Sequence, residues 1–276
     1  MPPATDLRSA TTSSESRLAS AWAALRARGR TALIPYLTAG FPSRDASEEA
    51  LRAADDVADI VEVGVPFSDP LADGPTIQRS TFRALQNGMT LARTLELIDR
   101  VRLTSPVVVF SYLNPILHYG LERFVRDAES LGVAGLLLTD LPAGSDPGVE
   151  TLLTRSRLDL IRLIAPTTRP ERLKTAVSGA QGFVYLVARL GVTGASDRLA
   201  DDLASSIGRV REATRLPVAV GFGISTPAQA ASVARLADGV VVGSALVDTL
   251  ERAGVDGARQ FLQQLRHGLA SGSAGA

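Results

Sequence analysis

One short stretch, IVEVGVPFSDPLADGPTIQ from Ile60 to Gln78, gathers the residues best suited to proton chemistry. Val61 and Val63 alternate with Glu62, so in a strand whose valines face outward Glu62 points to the opposite face, the interior of its sheet. A strand buried on both faces normally reads as continuous Val, Ile and Leu, and an unpaired charge is costly to bury. A lone glutamate there is either half of a structural ion pair or a working acid/base. The loop that follows adds Asp69 and Asp73, set among Pro70 and Gly74, and loops after strands are where site residues collect.

The elements that must position these carboxylates alternate. Leu18, Trp22 and Leu25 recur at helical spacing and predict a short amphipathic N-terminal helix ending near Arg28 to Gly29. Thr31 to Leu37 reads as the first strand, and Ser43 is placed to cap a helix through Asp56. After the Glu62 strand, Thr76 to Asn87 and Leu91 to Arg102 read as two helices, an unusually long connection that suggests function. Val107 to Ser111, Ala134 to Thr139, Leu158 to Ile164, Phe183 to Val187, Leu216 to Val220 and Gly239 to Val242 complete eight strands separated by helical segments. Eight such units over about 250 residues predict a (β/α)8 TIM barrel with an extra N-terminal helix, its site at the carboxyl ends of the strands. A doubly wound open sheet is the alternative, though no Gly-x-Gly-x-x-Gly follows the first strand. The expected organisation is a disordered tail over 1–16, one catalytic barrel over 17–270 and a flexible tail over 271–276.

Late in the chain, Gly221-Phe222-Gly223-Ile224-Ser225 and Gly243-Ser244 each follow a strand, with Thr226 and Pro227 suited to N-cap and N1 positions. Two glycine turns beside helix starts can hold a phosphate through main-chain N–H groups; they can also be ordinary strand-to-helix turns. A further glycine loop, Gly191 to Gly194, follows the sixth strand and could act as a lid.

Barrels acting on sugar phosphates commonly break carbon–carbon bonds, which requires somewhere for the electrons to go. A Schiff base needs a lysine, and the only one is Lys174, in a helix after the fifth strand. A Lewis-acid metal needs a ligand cluster, and the chain has only His118 and His267 and no cysteine, leaving an all-carboxylate magnesium site at Asp69 and Asp73 as the metal alternative. The remaining route is a substrate that takes up its own electrons. Lys plus Arg equals Asp plus Glu at 29 each, so no basic field points to nucleic acid or an anionic membrane. No apolar run approaches the ~20 residues of a membrane span, and the absence of cysteine fits a reducing compartment; the cytoplasm is the expected location.

Several segments together, PYLTAGFP (Pro35 to Pro42), EVGVPFSDPLADGPTIQ (Glu62 to Gln78), GVTG (Gly191 to Gly194), GFGIS (Gly221 to Ser225) and Gly243-Ser244, resemble the alpha subunits of tryptophan synthase, from about Trp22 to Leu269. The resemblance implies a lyase that cleaves indole-3-glycerol phosphate to indole and D-glyceraldehyde 3-phosphate in tryptophan biosynthesis, with indole as the electron sink. It implies that Glu62 is the general acid/base and Asp73 the carboxylate that stabilises the indole N–H. It places Tyr36, Ile77, Tyr185 and Phe222 around the indole and glycerol, Thr193 beside them, and Gly194, Gly223, Gly243 and Ser244 at the phosphate. Asp69 and Thr193 match loop positions that couple closure to a beta subunit, expected in an alpha2beta2 heterotetramer. No metal and no cofactor belong to this chain in that reading; pyridoxal phosphate is expected in the partner. Ala188 stands where a serine is usual before Arg189, and His118 is atypical in its segment. Two other readings stay open, a barrel that chiefly activates its partner and a free-standing lyase that releases indole.

Overall fold

The protein's computed structural model describes residues 16–165, 167–187, 197–221 and 223–273. In chain order these form α1 (Arg17–Ala27), β1 (Ala32–Thr38), α2 (Arg44–Asp55), β2 (Val61–Gly64), α3 (Pro75–Gln86), α4 (Leu91–Val101), β3 (Val107–Ser111), α5 (Leu113–Tyr119), α6 (Leu121–Ser130) and β4 (Gly135–Leu138). There follow α7 (Pro147–Arg155), β5 (Asp159–Ile164), α8 (Pro170–Ala176), β6 (Val184–Val187), α9 (Asp197–Ala213), β7 (Val218–Gly221), α10 (Pro227–Ala234), β8 (Gly239–Val242) and α11 (Ser244–Ser273). Every neighbouring pair of strands is parallel, and β8 returns to β1, so the sheet closes as the (β/α)8 barrel the alternation predicts.

The side-chain period of two sorts each strand into two cores. Leu33, Leu37, Val61, Val63, Val107 and Val109 face outward and pack under the helices in one large apolar layer. Ile34, Ile60, Val108, Leu137, Ile161, Phe183, Ala219 and Val241 face inward and fill the base of the barrel. Glu62 lies opposite Tyr36 in the β1–β2 register, one inward position beyond Ile60 and Ile34, at the mouth.

Helix α1 closes the base. Ser16 caps it by accepting from the Ala19 N–H at 3.2 Å and donates its hydroxyl to Asp159 at the start of β5, while Arg17 donates to the Gly132 carbonyl at 2.6 Å. Leu18, Trp22 and Leu25 enter the inner core, where the Trp22 and Phe183 rings sit 5.6 Å apart.

Two boundaries and two helices differ from the sequence expectation. Ser16, assigned to a disordered tail, is the α1 cap, and α11 continues through residues 271–273, past the limit at 270; residues 1–15 and 274–276 lie outside the described set. Helices α5 and α7 were not foreseen as such. Pro115 stands in the first turn of α5, where its missing N–H costs nothing, and Asp146 caps α7 ahead of Pro147 at N1 by accepting from Gly148 and Val149. No helix among the described residues is long and apolar enough to cross a membrane.

Candidate active site

At the carboxyl ends of the strands lies a cavity of about 370 Å³, within the roughly 300–1,000 Å³ typical of small-molecule sites. Glu62 projects into it from β2 and is fully buried, and among the described residues neither carboxylate oxygen has a hydrogen-bond partner. Burial alone pushes its pKa from 4.5 to about 8, so at neutral pH it is mainly a protonated acid.

The other buried charged side chains are satisfied. Arg162 pairs with Glu150 and donates to the carbonyls of Leu141 and Ser178, and Asp159 accepts from Ser16. Among the described residues no ion-pair partner reaches Glu62, and a buried carboxyl left without partners is expensive unless the empty space beside it serves a ligand.

Asp73 reaches the same cavity from the β2–α3 loop. That loop is folded tightly: the Asp73 N–H donates to Pro70 O at 3.1 Å, and Gln78 Nε2 donates to Asp73 O at 2.9 Å. The Tyr112 hydroxyl, beyond the end of β3, accepts from the Ala72 N–H at 2.9 Å and lies beside the Asp73 carboxyl, where it favours the charged form. Burial raises the Asp73 pKa to about 6 and the Tyr112 contact opposes the rise, so Asp73 is ionised at neutral pH while Glu62 keeps its proton. A proton donor and an anion thus share one cavity, each held there by its own environment. The same anion, after burial, raises the Tyr112 pKa to about 12.

Tyr36 and Tyr185 form opposite parts of the wall, and each needs a glycine on the next strand. A Cβ on Gly64 would lie 2.1 Å from the Tyr36 hydroxyl oxygen, and one on Gly221 would lie 2.1 Å from that of Tyr185. Gly221 is therefore a seat for an aromatic ring, a different task from the phosphate-turn role suggested by its sequence. Tyr36 also meets the edge of Phe110 at 5.2 Å. Burial first, then nearby carboxylates, keep both phenols well above their ordinary pKa, so both remain neutral.

The far end of the cavity is lined by Gly223, Ser225, Gly243 and Ser244. Thr226 caps α10 in a capping box with Gln229, and Gln229 Oε1 accepts from Ser225 N–H at 2.9 Å and Thr226 N–H at 3.2 Å. The start of α10 is thereby closed on itself. The helix end presented to the cavity is that of α11, through Ser244 and Ala245, a positive dipole end suited to an anion.

Of the residues singled out from sequence, Glu62, Asp73, Tyr36, Ile77, Tyr185, Gly223, Gly243 and Ser244 line this one cavity. Asp69 does not; it is exposed on the loop and accepts from Ser68 Oγ at 2.6 Å. Thr193, Gly194 and Phe222, with Ala188 and Arg189, lie outside the described residues. His118 is exposed in the last turn of α5. Lys174 lies in α8, away from the cavity lining. Among the described residues no three His, Cys, Asp or Glu side chains converge in a way that could hold a metal ion. Sequence reasoning missed Phe110, Tyr112, Thr139 and Asp248. For Phe110 the signal was present, since it is the next inward position after Val108 on β3.

The comparisons with known proteins agree on one family. A family model described as tryptophan synthase alpha chain matches residues 22–271. A tryptophan synthase alpha chain from Acidiphilium cryptum is 50% identical over 245 residues, covering 87% of this chain and 88% of its own. One from Chloroflexus aurantiacus is 47% identical over 260 residues, 91% and 97% of the two chains. A solved Mycobacterium tuberculosis tryptophan synthase superposes with a TM-score of 0.84 at 41% identity, covering 92% of this chain and 98% of the other. The Legionella pneumophila alpha subunit superposes with a TM-score of 0.84 at 32% identity, covering 93% and 99%.

Proposed function

The chain belongs to the tryptophan synthase alpha chain family and is a lyase that cleaves indole-3-glycerol phosphate in tryptophan biosynthesis, and from that premise we infer which of its residues carry the reaction. Glu62, protonated at neutral pH, gives its proton to indole C3, which leaves a positive charge on the ring delocalised to N1. Asp73, ionised, accepts a hydrogen bond from the indole N–H and offsets that charge. The Glu62 carboxylate then takes the proton of the glycerol hydroxyl next to the ring. As that oxygen becomes an aldehyde, the bond to C3 breaks, its electron pair restores the aromatic indole, and Glu62 is again protonated. No external electron sink is required. The substrate phosphate sits against Gly223, Gly243 and Ser244 at the start of α11, and Tyr36, Ile77 and Tyr185 hold the ring and glycerol. Thr193, Gly194 and Phe222 are assigned to substrate binding by their match to the family's motifs.

What carries the proposal is the pairing of a buried, partnerless Glu62 with an ionised Asp73 on one cavity. Their pKa values predict that kcat/KM rises with pH as Asp73 ionises near 6 and falls as Glu62 loses its proton near 8. Indole release measured from pH 5 to 9 checks this, and a flat profile would dismiss the assignment.

The family implies a beta-subunit partner. We assign that partner the pyridoxal phosphate and an alpha2beta2 arrangement, with the exposed Asp69 at the contact, and place the protein in the cytoplasm. Indole release with and without added beta subunit separates an alpha chain that needs its partner, shown by strong stimulation, from a free-standing lyase.

A further inference from the structure

One carboxylate on the cavity wall has no part in the chemistry above. Asp248 lies one turn beyond Ser244 on α11, at the phosphate end. A negative charge beside a bound phosphate is unfavourable in itself, so its position calls for another reason. Thr76 Oγ1 donates to Asp248 Oδ2 at 3.2 Å and Arg79 Nη2 to Oδ1 at 2.7 Å. One turn further along α11, Glu251 accepts from Arg79 Nε at 3.4 Å and from Arg83 Nη1 at 3.5 Å. All three donors belong to α3, whose first turn begins two residues after Asp73. The Arg79 and Asp248 side chains are 51% and 37% exposed, so the pair adds little to stability; what it fixes is the position of one helix start against the other. On its buried side α3 is tied to β1 as well, by Thr38 and Ser80 hydroxyls 2.7 Å apart.

We propose that Asp248 is a positioning residue that couples the phosphate end of the cavity to Asp73: with Thr76 and Arg79 it joins the α11 start, which receives the phosphate, to the α3 start, which carries the Asp73 loop. Phosphate binding thereby orders the loop that presents the catalytic carboxylate. The coupling rests on the placement of the phosphate and on the role of Asp73 given above.

Hydrogen exchange of the full chain with saturating inorganic phosphate tests it, together with kcat and KM. In the wild type, phosphate slows exchange in the segment 66–78. In Asp248→Ala phosphate still binds by calorimetry, but that protection falls about 5-fold, the low end of site-to-site coupling for a half-exposed pair, and kcat falls by about the same factor with KM little changed. Asp248→Asn, which keeps an oxygen for Thr76, recovers part of both. Full protection and full kcat in Asp248→Ala overturn the proposal, as does a lower KM with unchanged kcat, the mark of a carboxylate that merely repels phosphate. If the wild type binds no phosphate, the cradle itself falls and the coupling with it; binding without protection in the wild type sinks the coupling alone.

Discussion

The two ends of the barrel interior are built from the same eight strands and obey opposite rules. At the base, inward side chains are apolar, and α1 drives Leu18, Trp22 and Leu25 into the remaining space, with Trp22 only 5% exposed. At the mouth, one step along the same strands, the inward positions are Tyr36, Glu62, Phe110, Leu163 and Tyr185 around an open cavity. The base stabilises the fold by burying apolar side chains and, among the described residues, leaves unpaired only a neutral donor, Trp22 Nε1; the mouth leaves packing undone and an ionisable carboxyl unsatisfied, at a larger cost in stability. The contrast teaches where to look in such a barrel, because a strained or unpaired group is tolerated only where the fold is secured elsewhere.

The most direct way to break this division is to neutralise the mouth. Glu62→Gln removes the proposed proton donor and acceptor and is expected to lower turnover by the ~10²–10⁴-fold usual for a general acid/base, with the chain at least as stable as before. Asp73→Asn should be similarly severe. Near wild-type indole release in either variant would return that residue to a structural role. The converse variant acts at the base. Trp22→Ala leaves a cavity beneath Phe183 and should cost ~3–5 kcal/mol of stability, read as a lower unfolding midpoint, while kcat per folded molecule is unchanged. A large drop in kcat at constant stability would mean the two ends are not separable.

How much of this was legible beforehand divides along the same line. The base and the outer core follow from local pattern: alternation of Val and Ile defines the strands, and β3 and β8 begin and end where the sequence places them, at Val107–Ser111 and Gly239–Val242. Glu62 was legible because it interrupts that pattern. Tyr112 and Asp248 were not, because their meaning arises from residues far along the chain. Thr76 and Asp248 are 172 positions apart, and nothing in either neighbourhood announces the contact. The role of Gly221 was misleading for a related reason, since a glycine beside a turn suggests a phosphate when its actual neighbour is a tyrosine from another strand. Helix α7 was overlooked despite an Asp146-Pro147 start, a signal weakened by the glycines and prolines around it.

The pH dependence of stability sharpens the comparison with an effect of intermediate size. In the folded chain Glu62 holds its proton up to about pH 8, whereas in the unfolded chain it releases it near 4.5. Between those values the native state binds more protons, so stability declines as pH rises and levels off above about 8. At 1.36 kcal/mol per pH unit the loss reaches roughly 3 kcal/mol by neutral pH. Asp73 adds a smaller loss of the same sign over its narrower window, from 3.8 to about 6. Denaturant unfolding at pH 5 and 8 should show the decline in the wild type and a much flatter response in Glu62→Gln. At the base the apolar side chains contribute nothing of this kind; there Asp159, its pKa raised by burial against the Ser16 hydrogen bond, adds a change of the same sign.

The smallest effects come from single methyl groups. Gly64→Ala puts a Cβ 2.1 Å from the Tyr36 hydroxyl, so the Tyr36 ring, packed T-shaped against Phe110 on the cavity wall, must shift. The expected cost is ~1–3 kcal/mol, with KM for indole-3-glycerol phosphate raised several-fold as the pocket narrows. Gly208→Ala is the matched control, a glycine inside α9 whose added Cβ meets nothing within 4 Å. There the same methyl should stabilise the chain by ~0.5–1 kcal/mol through helix propensity and leave kinetics untouched. Should Gly64→Ala behave like Gly208→Ala in both stability and KM, the tyrosine is not seated on the neighbouring strand as described, and the mouth has more slack than its geometry allows.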